Sequence, residues 1–119
     1  MFSLNDSMRY YLCPGATDMR RGIYSLSGLV LDTMGRDVRS GDVYIFINRE
    51  RRTIKLLHAE DGGLVLYMKK LEQGRYRLPQ YDASTKAFYM EWRDLVLLVE
   101  GIREDPDARL KRLKMSRYR

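Results

Sequence analysis

The 119-residue chain contains few of the side chains that metal proteins and nucleophilic enzymes use. It has one cysteine, Cys13, and one histidine, His58. A single cysteine cannot close an intrachain disulfide, so the sequence does not require an oxidising compartment. A structural zinc site takes about four Cys or His ligands, which this chain does not have. The sequence favours a packed thiol at Cys13 over a nucleophile, and a structural His58 over a catalytic base.

Long apolar segments are also absent. The longest apolar runs are five residues, at 43–47, 64–68 and 95–99, whereas a membrane-spanning helix needs about 20. Residues 1–10 lack the basic segment followed by an apolar segment that marks a secretory signal. We therefore expect a soluble, cytoplasmic protein that does not act at a membrane.

Motifs for nucleotide binding and nuclease activity are missing as well. Gly62-Gly63 lacks the Gly-Lys-Ser/Thr ending of a phosphate-binding loop. A restriction-type nuclease places an acidic residue two positions before a strand lysine, where this chain has Thr53 before Lys55. We predict that the protein is not an enzyme and has no catalytic residues, no metal site and no cofactor.

The excess charge is positive. The formal net charge is +6, and residues 103–119 hold seven Lys or Arg against three acidic residues. Positive charge favours polyanionic partners because phosphate contacts release condensed counterions. Many basic domains bind no nucleic acid, so charge alone leaves both interpretations open.

The apolar spacing predicts one α+β domain over residues 1–102. Steps of three and four residues between apolar positions indicate a helix over 18–34, with Thr17 as its N-cap and Gly35 just beyond its end. A second, short helix is predicted over 92–100. Residues 103–119 are interpreted as a basic C-terminal arm, either helical or disordered.

Apolar runs bounded by turn residues predict the strands of this domain. These are 9–13, 43–47, 53–58, 64–70, 75–78 and an edge-like strand at 87–90. Strands joined by turns of about three to five residues must be antiparallel, so the four strands between 43 and 78 are expected to form a meander. The predicted fold is an antiparallel sheet of four to five strands packed on the longer helix.

Basic residues concentrate in two hairpin turns and in the arm. Arginine suits phosphate because its planar fork donates two parallel hydrogen bonds. The alternative is that the turn residues are solvated charges that protect sheet edges from aggregation. On the first interpretation, the predicted DNA contacts are Arg20, Arg49, Arg51, Arg52, Lys55, Lys69, Lys70, Arg109, Lys111, Arg112 and Lys114.

Four sequence blocks carry a family resemblance. They are TDMRRG at 17–22 with SGLV at 27–30, SGDVYIFINRERRTIKLL at 40–57, GGLVLYMKKLEQGRYRLP at 62–79, and DLVLLVEGI at 94–102. In this order and spacing they resemble the TnpB-type accessory protein of the insertion sequence 66 family of bacterial transposons. The resemblance implies a role in transposition beside a separate, larger transposase and other element-encoded proteins, with no established enzymatic activity.

The resemblance also points to particular polar positions and to two departures. Ala59-Glu60 stands where the family usually has Trp-Asp, and Leu64 stands where the family has an aromatic residue. The loss of these aromatic residues argues against base stacking by this part of the sheet. The recurring positions, all polar except Met19, fall on Asp18, Met19, Arg20, Asn48, Arg49, Arg51, Lys55, Lys69, Lys70 and Glu72.

Two functions follow as hypotheses. The first is an accessory protein that binds transposon-end DNA through the hairpins and the arm. The second is an interaction scaffold that assembles or activates the transposase without strong DNA binding of its own. The steepness of the salt dependence of DNA binding separates them. The sequence leaves the oligomeric state open.

Overall fold

A computed structural model describes residues 4–100, in which a five-stranded sheet lies between two helices. This arrangement confirms the α+β class. The sheet order is β4-β3-β2-β1-β5. The elements are β1 (Tyr10–Leu12), α1 (Ile23–Asp32), a short 3-10 helix (Val38–Ser40), β2 (Val43–Ile47), β3 (Thr53–Glu60), β4 (Gly63–Lys70), β5 (Phe88–Met90) and α2 (Trp92–Val99).

The predicted first strand, β1, is an interior strand of the sheet. Tyr10 lies beside Val43 in a parallel pair with β2 and beside Met90 in an antiparallel pair with β5. Within residues 4–100 the sheet is therefore mixed and mostly antiparallel: three of its strand pairs are antiparallel, as predicted, and the β1–β2 pair is parallel. The chain between β1 and β2 contains α1 and supplies the crossover of about a dozen or more residues that a parallel pair requires.

Helix α1 is shorter than predicted at both ends. It begins at Ile23 with Gly22 as its N-cap and ends at residue 32 instead of 34. Thr17, predicted as the cap, is buried and donates its backbone N–H to the carbonyl of Ile47 at 2.8 Å. Residues 17–22 therefore do not start the helix, and Thr17 pairs with the end of β2 instead. Gly35 has the left-handed φ of +64° that its predicted place after the helix requires.

The predicted strand at 75–78 does not form. Leu71 donates its backbone N–H to the carbonyl of Arg52 at 2.8 Å, and Tyr76 donates to the carbonyl of Arg51 at 2.6 Å. The Tyr76 side chain is fully buried. The chain after β4 therefore packs across the β2–β3 turn, and the meander has three strands, β2 to β4, not four.

The two helices cover opposite faces of the sheet. The face under α1, which we call the α1 face, packs Tyr44, Phe46 and Leu57 against Leu26 and Val30. The opposite α2 face packs β1, β2 and β3 side chains against α2 and the chain after β4. All five residues of β2 are buried, as its unbroken apolar run predicts. Neither helix in the described part of the chain is long and apolar enough to cross a membrane.

Cys13 lies in the core beneath α1. Its side chain is 4% exposed, and burial raises the pKa of the thiol above its ordinary value. Because the thiolate is the reacting species, we expect iodoacetamide to label native Cys13 roughly tenfold or more slowly than the unfolded chain. Mass spectrometry with and without urea measures both rates. Equal rates would contradict a packed thiol.

Candidate nucleic-acid interface

The turn between β2 and β3 presents arginines on a backbone held by hydrogen bonds. The Asn48 side-chain oxygen accepts from the N–H groups of Arg52 at 2.9 Å and Thr53 at 3.1 Å. The Asn48 carbonyl accepts from Arg51, which has a left-handed φ of +57°. Arg49 and Arg52 are exposed on this turn. A preorganised turn loses little conformational entropy when its side chains bind a ligand.

The strand register brings the second predicted basic cluster to the same place. Lys70, at the end of β4, is the partner of Thr53 at the start of β3, and its side chain is exposed. Lys70 therefore lies one position along the ladder from Arg52, at the same end of the sheet. The sequence prediction treated the two hairpin turns as separate clusters. Counting residue pairs along the β3–β4 ladder from the turn at Gly62 places Lys70 opposite the start of β3, so the two clusters lie at the same end of the sheet.

The segment before α1 approaches this end of the sheet from the other side. Residues 16–19 and residues 48–50 line a shallow groove of about 380 Å³. The exposed Arg20 side chain follows directly after that groove wall. The structure thus brings Arg20 to the end of the sheet that carries the β2–β3 turn.

Arg20 is paired within its own segment. Its guanidinium donates to the Asp18 carboxylate, with Nη2 and Oδ2 2.7 Å apart. These hydrogen bonds, together with one from the Arg20 backbone N–H, lower the pKa of Asp18 to about 2. Asp18 is therefore ionised at neutral pH and offsets part of the Arg20 charge.

Two of the predicted DNA contacts face elsewhere. Lys55 is 7% exposed, and its ammonium donates to the carbonyls of Met19 and Arg21 at 2.8 Å each. Lys69 donates to the carbonyl of Val99 at 3.1 Å, at the end of α2 where a cation complements the helix carbonyls. Both ammonium groups thus make contacts that hold the fold, and we leave them out of the proposed interface.

We call the remaining basic side chains at this end of the sheet the basic rim. They come from four segments and are exposed or half-exposed. Arg75 was not among the predicted contacts, although its position in a basic turn is visible in the sequence. The hydrogen bond from the Tyr76 N–H to the Arg51 carbonyl places Arg75 near the β2–β3 turn. Acidic residues of the same segments are Asp18, Glu50 and Glu72. The members of the basic rim are Arg20, Arg49, Arg51, Arg52, Lys70 and Arg75.

Other predicted features stay untested. The predicted contacts Arg109, Lys111, Arg112 and Lys114, and the domain boundary after residue 102, lie outside the described residues. Within residues 4–100, no group of three or more His, Cys, Asp or Glu side chains is placed to hold a metal ion. His58 is buried in β3. The absence of enzymatic activity stays a prediction.

Comparison with known proteins gives a match to one family model and to curated relatives. Residues 8–109 match the model of a family described as IS66 Orf2 like protein. The curated relatives include Uncharacterized protein y4hO of Sinorhizobium fredii, 26% identical over 102 residues that cover 86% of this chain and 87% of the relative. Uncharacterized protein y4jC of the same organism is also 26% identical over 102 residues, which cover 86% of each chain. No solved structure matches.

Proposed function

Because the chain belongs to the IS66 Orf2-like family of transposon accessory proteins, we propose that it is a non-catalytic accessory protein that binds transposon-end DNA through its basic rim. The observation that carries this proposal is the convergence of six basic side chains from four segments on one end of the sheet. The arm residues Arg109, Lys111, Arg112 and Lys114 extend the proposed surface. The separate transposase is the second partner.

The chemistry of the rim suits phosphate more than base edges. Five of its six members are arginines, whose forks match phosphate oxygens. Contacts to phosphate orient a protein on DNA but carry little sequence information. Removing rim charges is therefore expected to weaken binding to all duplex sequences alike.

A triple variant tests the rim. We expect replacement of Arg49, Arg52 and Lys70 by alanine to reduce the slope of log affinity against log salt by roughly 2–3, since each phosphate contact on duplex DNA contributes about 0.9. The measurement is fluorescence anisotropy with transposon-end and unrelated duplexes at several salt concentrations. Circular dichroism monitors the fold, which these exposed side chains do not hold together.

The matched control removes the same charge elsewhere. Arg39, Lys86 and Arg93 are exposed and lie outside the rim, so their replacement by alanine is expected to leave most of the slope intact. Equal loss in the two triple variants would show that only total charge matters. If the full-length protein shows no salt-sensitive binding to any DNA, alone or with its transposase, the DNA proposal fails.

The second candidate function is a scaffold for the transposase. Helix α1 exposes two large apolar side chains, Tyr24 at 86% and Leu31 at 64%, seven residues apart and thus on one side of the helix. Large exposed apolar groups on one face are typical of protein contact surfaces. If the protein binds the transposase independently of salt, loses that binding in Leu31→Asp and does not bind DNA, the scaffold function is supported in place of the first.

A further inference from the structure

Strand β4 is a long edge strand. It spans eight residues and pairs with β3 on one side, and no other strand formed by residues 4–100 pairs with its outer side. The opposite edge strand, β5, has three residues. A long edge strand presents backbone groups that another strand can pair with.

The hydrogen-bond alternation shows which backbone groups face outward. Leu71 donates to the Arg52 carbonyl, so this is a hydrogen-bonded pair of the ladder. Hydrogen-bonded and non-hydrogen-bonded pairs alternate along an antiparallel ladder. With the register of β3 and β4, the residues whose N–H and C=O groups point away from β3 are Leu64, Leu66, Met68 and Lys70.

The side chains of this edge are apolar over most of its length. Leu64, Leu66 and Met68 share the α1 face of β4, and Met68 is 59% exposed. The charged residues of β4 are confined to one end, at Lys69 and Lys70. Proteins usually protect a long edge strand with charge, proline or a bulge. The middle of β4 has no charge and no proline.

We propose that a second copy of the chain pairs with this edge, so that two β4 strands run antiparallel across a two-fold axis at Leu66. In this register Leu66 faces Leu66 of the second copy, and Leu64 faces its Met68. In both pairs the backbone N–H and C=O groups point away from β3, so each pair forms hydrogen bonds between the two β4 strands. The two sheets become one continuous sheet of ten strands, and the contact is isologous, as in most homodimers.

Charge complementarity supports pairing with a second copy of the chain in this register. Lys70 comes opposite Gly62 of the second copy, next to the second copy's Asp61, which is exposed in the β3–β4 turn. Lys69 comes opposite Gly63. Each end of the paired strands thus places a lysine beside an acidic turn. Moving the axis to Met68 would place Lys70 opposite Leu66 and lose this match.

A substitution on the exposed edge tests the dimer. The full chain is expected to show a concentration-dependent dimer by light scattering and sedimentation across the micromolar range. We expect Met68→Lys to raise the dissociation constant roughly tenfold or more, because it puts a charge against Leu64 of the second copy. The control, Leu31→Lys, makes the same change at an exposed site on α1 and is expected to leave the dimer unchanged.

Amide exchange locates the interface independently of any variant. The outward N–H groups of Leu64, Leu66 and Met68 are expected to exchange more slowly as protein concentration rises, whereas the amides of β5 do not change. A protein that is monomeric at the highest soluble concentration overturns the proposal. A dimer that tolerates Met68→Lys and protects other amides overturns it as well, whether or not the protein binds DNA.

Discussion

Replacement of Phe46 by alanine is expected to lower the free energy of unfolding by about 3–5 kcal/mol. Phe46 lies in β2 on the α1 face and is fully inaccessible to solvent. It packs in the hydrophobic cluster between the sheet and α1. Truncation removes most of the side chain and leaves a cavity that the surrounding structure fills only in part. Because native proteins have about 5–15 kcal/mol of total stability, this loss is a large fraction of the stability of the domain.

Urea denaturation followed by circular dichroism measures this loss. The control is Tyr24→Ala, which removes another aromatic ring from a site that is 86% exposed. We expect it to change the stability by less than about 0.5 kcal/mol. A loss below about 1 kcal/mol for Phe46→Ala would contradict the packing of α1 on β2.

Replacement of Lys55 by methionine is expected to destabilise the protein by about 1–3 kcal/mol. Methionine keeps most of the length of the aliphatic stem but leaves the carbonyls of Met19 and Arg21 without the ammonium that they share. The same substitution frees the segment before α1. Urea denaturation gives the stability, and faster amide exchange over residues 17–22 reports the loosened segment.

Lys86→Met supplies the comparison for Lys55→Met. Lys86 is exposed, so the same change in charge and shape is expected to alter stability by less than about 0.5 kcal/mol. If the two variants were equally stable, Lys55 would not anchor the segment. Weakened DNA binding by Lys55→Met at full stability would return this residue to the proposed interface.

The sequence predicted the elements whose signals are local. The apolar run Val43–Ile47 indicates a strand buried on both faces, and it is one. The turn at Gly62 and the helix that starts at Trp92 are equally visible, because turn residues and apolar periodicity operate over a few neighbouring positions. The basic β2–β3 turn could be predicted for the same reason.

Long-range contacts decided the elements that the sequence misplaced. The spacing of Met19 and Ile23 fits a helix, but Lys55 binds the carbonyls of Met19 and Arg21 from 36 and 34 residues away, and the helix starts later. Tyr76 suggested a strand, yet its N–H pairs with the turn at Arg51. No local pattern distinguishes an inward lysine from an exposed one when the register of the strand is unknown.

The place of β1 in the sheet also predicts an order of folding. Strands β2, β3 and β4 follow one another closely and can pair as soon as residue 70 is available, because closing short loops costs little entropy. Tyr10, by contrast, must meet Val43 and then Met90, and pairing between distant residues slows folding. While β5 is still inside the ribosome, β1 has no strand paired with one of its two sides. We therefore expect nascent chains that end before residue 88 to be more prone to aggregation than the finished protein.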